Sequence, residues 1–180
     1  MKIYTKTGDQ GETKLLYGDT VPKDSLAPEA YGSVDELVAS LGLIRAEEKL
    51  PIEIKEILLR IQRELFIVGA ELATAKENRD KLKAKKTLVD ETMIEALEKK
   101  IDFLQEKNGI PEFFVVPGEN IISAKFEWSR VVSRRAERKC VTWQNRLEID
   151  NSKVVVYLNR LSDLLWMFAR DFEEDWTPSK

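Results

Sequence analysis

Histidine is missing from all 180 residues. Its absence removes imidazole general bases, Ser-His and Cys-His nucleophile pairs, and any His-ligated zinc or di-iron centre built within one chain. Cysteine is nearly missing too: the single Cys140 allows no internal disulfide. Glycine and proline number only 8 and 6, too few for a fibrous or low-complexity chain. No apolar run approaches the roughly 18 residues that a membrane-spanning helix needs. The opening MKIYTKTGDQ lacks the hydrophobic core of a secretory signal, so the cytoplasm is the expected compartment. Positive charge is not in excess either. Lys and Arg total 29 against 32 Asp and Glu, net −3, so no overall basic field draws the chain onto nucleic-acid phosphates. Chemistry must rest on arginine, lysine, carboxylates, hydroxyls, amides or a cofactor.

What remains is a globular composition, 43% apolar and 34% charged, at a length that suits one domain. We expect a single helical-bundle domain over 1–180, with an N-terminal loop at 1–27, helices within 28–175 and a short tail at 176–180. The loop holds Gly8, Gly11, Gly18 and Pro22 with little apolar content, which predicts a flexible or orderable Gly/Thr-rich surface segment. From Pro28, Ala30, Val34, Leu37, Leu41 and Ile44 recur at the period of an amphipathic helix. Pro51 opens a second helix carrying Ile54, Leu58, Ile61, Leu65, Val68 and Leu72. Residues 76–88, KENRDKLKAKKTL, read as a solvated connection or frayed helix ends. Asp90 suits the cap of a third helix that stops at Asn108-Gly109. The segment PEFFVVPG, bracketed by prolines, reads as a loop with buried aromatics. A fourth helix runs from near Asn120 to before Leu147, and a fifth from about Lys153 to Asp175. The fold class is all-α: a five-helix up-and-down bundle, ferritin-like in general shape.

Four groups of residues could carry chemistry. The segment Thr5-Lys6-Thr7-Gly8-Asp9-Gln10-Gly11-Glu12-Thr13-Lys14 suits polyphosphate, because glycines let backbone N–H groups approach phosphate closely while hydroxyls and lysines add donors and charge. It is not a Walker A sequence, and a glycine- and threonine-rich terminus is also an ordinary turn. Arg130, Arg134 and Arg138 are spaced four apart and line one helix face with Glu137 beside them. Guanidinium groups grip phosphate bidentately and stay charged; the plainer reading is a solvated face of exchanging ion pairs. Asn159 and Asp163 form an i,i+4 polar pair on an apolar helix, and Asp35-Glu36 sits among core positions of the first helix.

TKTGDQGETKLLYG at 5–18, AYGSVDELVASLG at 30–42, FVVPG at 114–118, SRVVSRRAER at 129–138 and YLNRLSDLLWMFAR at 157–170 together resemble the PduO-type ATP:cob(I)alamin adenosyltransferases. The resemblance spans nearly the whole chain in order. It implies a homotrimer of five-helix bundles with active sites between subunits. There the 5′-deoxyadenosyl group of ATP passes to the cobalt of reduced cob(I)alamin or a related corrinoid, giving adenosylcobalamin and triphosphate. By the same resemblance, Thr5, Lys6, Thr7, Gly8, Asp9, Gly11, Thr13 and Lys23 surround the ATP phosphates with Mg²⁺. Arg130, Arg134, Glu137, Arg138 and Asn159 hold the nucleotide, and Asp35 pairs with Arg130 across the subunit boundary, making Arg130, Arg134 and Asp35 the catalytic set. Phe114 crowds the lower face of the corrinoid and displaces its axial base, with Asp163 nearby. No metal ligand of the protein's own is implied, because magnesium rides mainly on the phosphates. A reduced flavoprotein is the expected electron donor, an adenosylcobalamin-dependent enzyme a further partner, and neither nucleic acid nor membrane is involved.

The chain departs from the family pattern at Thr20 and Ala27, where relatives carry arginine, and at Val38 and Glu119, where they carry asparagine and glycine. Each lost charge-assisted contact costs about 1.5–3 kcal/mol of nucleotide binding. Two other readings stay open on the residues alone. An all-helical Mg-dependent nucleoside triphosphate hydrolase would need paired carboxylates such as E-x-x-E, whereas acidic pairs here fall at 47–48 and 173–174. A non-catalytic corrinoid-binding or scaffold bundle would bind no ATP.

Overall fold

The computed structural model describes every residue except Met1, Lys2 and Thr5. Five helices dominate: α1 (Leu26–Arg45), α2 (Ile52–Leu72), α3 (Glu91–Asn108), α4 (Ile121–Arg146) and α5 (Val154–Asp171). They form the expected bundle. α4 lies at its centre, packed against α1 on one side and α5 on the other, while α2 flanks α1 and α3 flanks α5. The apolar faces predicted from periodicity meet in one continuous core, with Leu37, Leu58, Leu97, Phe126 and Leu161 all shielded from solvent.

Local sequence sets the helix ends. Asp90 accepts the Met93 N–H at 3.2 Å and caps α3, and Gly109, at φ 73°, terminates it. Asn120 opens α4 in a capping box: its Oδ1 accepts the N–H groups of Ile122 and Ser123, while Ser123 Oγ accepts the Asn120 N–H. The Asn120 amide also donates to the Phe172 carbonyl at 2.6 Å, which ties the start of α4 to the end of α5. Phe126 stacks with Phe168 at 5.2 Å and Phe172 at 5.6 Å between ring centroids. α5 stops at Asp171, short of the expected Asp175, and partly buried Phe172 joins that stack just beyond its end.

Three expectations need correction. Part of the N-terminal loop is a hairpin, β1 (Glu12–Lys14) paired antiparallel with β2 (Thr20–Pro22). Buried Leu15 anchors it, and the Leu16 N–H donates to the Ala73 carbonyl at 2.8 Å. The connection after α2 is not wholly solvated. Residues Lys76–Lys81 form a 3₁₀ helix, and Arg79 reaches the fully buried Glu71 at 2.8 Å. Glu71 also accepts from Ser152 Oγ and the Val89 N–H, so one carboxylate pins three separate segments.

The third correction concerns the aromatics at 113–114, which are exposed, Phe114 by 86%. Their backbone is held by the C-terminal tail instead: the Val116 N–H donates to the Thr177 carbonyl and the Ser179 N–H to the Phe114 carbonyl, both at 2.8 Å. The apolar run therefore anchors through main-chain pairing and leaves its phenyl rings outward.

Candidate active site

On α4 the arginine row divides by partner. Arg135 pairs with Glu36 of α1, and Lys139 with Glu29 at 2.7 Å. Arg130, half-buried, donates from Nε to Glu127 Oε2 at 2.7 Å. Arg134 and Arg138 are exposed and make no ion pair among the described residues. Among the arginines of α4 these two, spaced one turn apart, and Arg146 at the far end of the helix have no ion pair among the described residues. Beside Arg134 and Arg138, Asn159 of α5 donates to Glu137 Oε1 at 3.0 Å, and Arg160 Nη1 donates to Asn159 Oδ1 at 3.2 Å. Asp163 is exposed on α5, yet partial desolvation beside the helices pushes its carboxyl up, opposed by Arg160 and Arg134 and reinforced by Glu137. Arg134, Glu137 and Asp163 are therefore close enough to feel one another, and the α4–α5 face presents a polar group around a free guanidinium.

The leader is shaped by close backbone contacts. Lys6 sits at φ 61° and Gly11 at φ 83°. The Asp9 and Gly11 N–H groups close successive turns onto Lys6 and Gly8, and the Lys23 N–H donates to the Gly11 carbonyl at 2.8 Å. A Cβ on Gly8 would lie 2.9 Å from Lys23 Nζ, so the glycine is what allows that ammonium to fold over the turn. Lys6, Asp9 and Lys23 are exposed, and Thr13 is half-buried in β1. Thr5 lies outside the described residues. The hairpin rests over the C-terminal end of α4, where Leu15, Val21, Trp143 and Leu147 line a common cavity of about 430 Å³. Trp143 is nine residues beyond Arg134, roughly 13 Å along the helix axis. Within the chain, the leader and the arginine row are thus anchored at different levels of α4.

At the other end of the row, Arg130 lines a cavity of about 630 Å³ with Phe113, Phe114, Pro117, Glu127 and Trp166. Asp35 stands exposed on α1 beside an apolar groove of about 370 Å³ lined by Tyr31, Val38, Leu65 and Phe66. It makes no ion pair among the described residues, and the partner of Arg130 within the chain is Glu127.

The family model for cobalamin adenosyltransferase matches residues 3–172. The chain belongs to that family. A corrinoid adenosyltransferase of Citrobacter freundii is 38% identical over 177 residues, covering 98% of this chain and 97% of the relative. One from Bacillus subtilis (strain 168) is 40% identical over 177 residues, covering 94% and 86%. A solved point variant of the PduO-type ATP:corrinoid adenosyltransferase from Lactobacillus reuteri, complexed with cobalamin and ATP, superposes with TM-score 0.84 at 32% identity, covering 94% of this chain and 89% of that one.

Two residues of this cobalamin adenosyltransferase were missed by sequence reasoning although they line the cavity with Arg130 and Phe114. Trp166 falls three residues after Asp163 on α5, and Glu127 three before Arg130 on α4. The i,i+3 spacing was a usable signal in both cases. Neither stood out, because a tryptophan in an apolar helix reads as core and a glutamate on a charged helix reads as surface.

Proposed function

We propose that this chain transfers the 5′-deoxyadenosyl group of ATP to the cobalt of a reduced corrinoid, releasing triphosphate, at sites formed between the subunits of a homotrimer in the cytoplasm. The observation that carries the reading is the pair of unneutralised guanidiniums, Arg134 and Arg138, continuous through Arg130 with a large apolar-walled cavity. A charged polyphosphate and a broad planar macrocycle need such neighbours. Reduced cobalt supplies the electron pair, the bond from C5′ to the phosphate oxygen breaks, and the triphosphate leaves with its negative charge. No protein base takes part, which suits a chain without histidine. The protein aligns the reactants and neutralises the leaving group.

In this reading Lys6, Thr7, Gly8, Asp9, Gly11, Thr13 and Lys23, with Thr5, wrap the phosphates. Arg130, Arg134, Glu137, Arg138 and Asn159 hold the rest of the nucleotide. Phe114 and Asp163 border the corrinoid, the phenyl ring of Phe114 being free to press on its lower face. Mg²⁺ arrives with the phosphates. Separate anchoring of leader and row on one subunit supports closure of the site by a neighbour. Exposed Trp128 and Val131 on α4 provide apolar surface for that contact, and the groove beside Asp35 provides a receiving face. Asp35 then takes up Arg130 across the boundary. A reduced flavoprotein supplies electrons, and an adenosylcobalamin-dependent enzyme receives the product.

Purified protein with ATP, Mg²⁺ and chemically reduced cobalamin should develop the light-sensitive spectrum of adenosylcobalamin together with one triphosphate per turnover. Triphosphate formation that ignores the corrinoid would favour a hydrolase, and absence of ATP binding by calorimetry would leave only a scaffold.

A further inference from the structure

Glu127 is a buried carboxylate to which the reaction above gives no role. It sits one turn before Arg130 on α4, and its two oxygens serve two different arginines. Oε2 accepts from Arg130 Nε at 2.7 Å, and Oε1 lies 3.1 Å from Arg170 Nη2. Arg170, on α5, has a fully buried side chain. It is held mainly through Nη2, which donates to Glu173 Oε1 at 2.9 Å; Nε lies 2.8 Å from Glu173 Oε2 as an ion pair without hydrogen-bond geometry, Nη1 has no hydrogen-bond partner among the described residues, and the guanidinium carbon stands 5.4 Å from the centroid of the Trp166 ring. Two cations and two anions close the group with no net charge. A surface glutamate could swing away from its arginine and gain little by staying. Glu127 cannot, because release would strand Arg170 in the core with half its countercharge.

The consequence falls on Arg130. A free arginine side chain samples many rotamers, and confining it costs up to about 2 kcal/mol. Here Nε is already held by a carboxylate that is itself clamped, while among the described residues neither Nη group makes a hydrogen bond or ion pair to another side chain. They remain available to the cavity that Arg130 lines with Phe114 and Trp166. We infer that Glu127 is a positioning residue for adenosyl transfer: backed by Arg170, it locks Arg130 Nε so that the Nη edge of that arginine is oriented toward the site, for Asp35 of a neighbour and for the reactants, before they bind. The inference rests on the proposed role of Arg130 at the site. It adds that the geometry of that arginine is set from inside its own subunit, independently of Asp35 of a neighbour.

A double-mutant cycle on the assembled full-length protein tests it. Glu127→Gln should lower kcat/KM by about 10- to 100-fold, the scale of a catalytic group displaced by an ångström. In an Arg130→Met background the same change should alter kcat/KM by less than about 3-fold, because Glu127 then has nothing left to position. Full additivity of the two substitutions would overturn the inference. Should Glu127→Gln fold poorly, Glu127→Asp keeps the charge but is one methylene too short to span both arginines. It should show the same dependence on Arg130, and wild-type kinetics in this variant would also overturn the inference. A crystal structure of either variant reads the geometry without turnover: Arg130 should leave its present rotamer, and an unmoved guanidinium refutes the positioning role even if the protein proves to have a different activity. Wild-type protein that makes no adenosylcobalamin would instead refute the function proposed above.

Discussion

Replacing Arg134 with alanine separates binding chemistry from fold architecture. The side chain is exposed and forms no ion pair among the described residues, so its removal disturbs no packing and orphans no buried group. Substitutions of that kind change stability by no more than about 0.5 kcal/mol, or roughly 1–2 °C in Tm at this chain length. The effect on the reaction should be of another order. If the guanidinium grips the departing triphosphate, one or two charge-assisted hydrogen bonds are lost, about 2–4 kcal/mol in all. That corresponds to a fall of about 30- to 1000-fold in kcat/KM. Arg134→Lys retains the charge without the planar fork and should fall between wild type and alanine. A second signature lies in Asp163, whose carboxyl is pushed up by partial desolvation and partly restrained by Arg134. Removing the cation pushes it up further, which NMR titration of that carboxylate can follow. The assay is initial-rate formation of adenosylcobalamin at varied ATP, alongside thermal unfolding. A kcat/KM within 3-fold of wild type, or a Tm loss beyond about 5 °C, would refute the assignment of Arg134 to the phosphates.

Stability offers two further tests. Glu71→Ala strips the partner from Arg79, Ser152 and the Val89 N–H at once and should destabilise by about 3–5 kcal/mol in urea unfolding, whereas a loss under 1 kcal/mol would mean that the pin is redundant. Glu64 is raised above its ordinary 4.5, by burial first, with the Tyr157 hydroxyl and Arg60 opposing. Because the folded state then holds the proton more tightly than the unfolded chain, the stability contribution of Glu64 is present below pH 4.5 and declines as pH rises through the raised value. Glu64→Gln keeps an acceptor for the Tyr157 hydroxyl, which now donates at 2.8 Å, and removes the charge. Its unfolding midpoint at pH 7 should equal or exceed that of wild type, with a flatter pH profile above 4.5; a lower midpoint would show that the buried charge is stabilising.

Much of this protein follows from neighbours one helical turn apart. The apolar period from Ala30 to Ile44 and from Ile54 to Leu72, the cap at Asp90, the start at Asn120 and the stop at Gly109 are all local preferences, and each is met in the structure. The alignment of Arg130, Arg134 and Arg138 on one face follows from the same periodicity. Partner choice does not. That Arg135 is neutralised by α1 while Arg134 is left free, that Glu71 binds three distant segments, and that Phe114 points outward from a backbone held by the tail depend on groups up to 99 residues away along the chain. The hairpin at 12–22 escaped notice because three-residue strands carry almost no periodic signal and draw their stability from the helix ends beneath them. Local propensity needs only the adjacent turn, whereas charge neutralisation and exposure are settled by whichever surfaces the packed helices bring together.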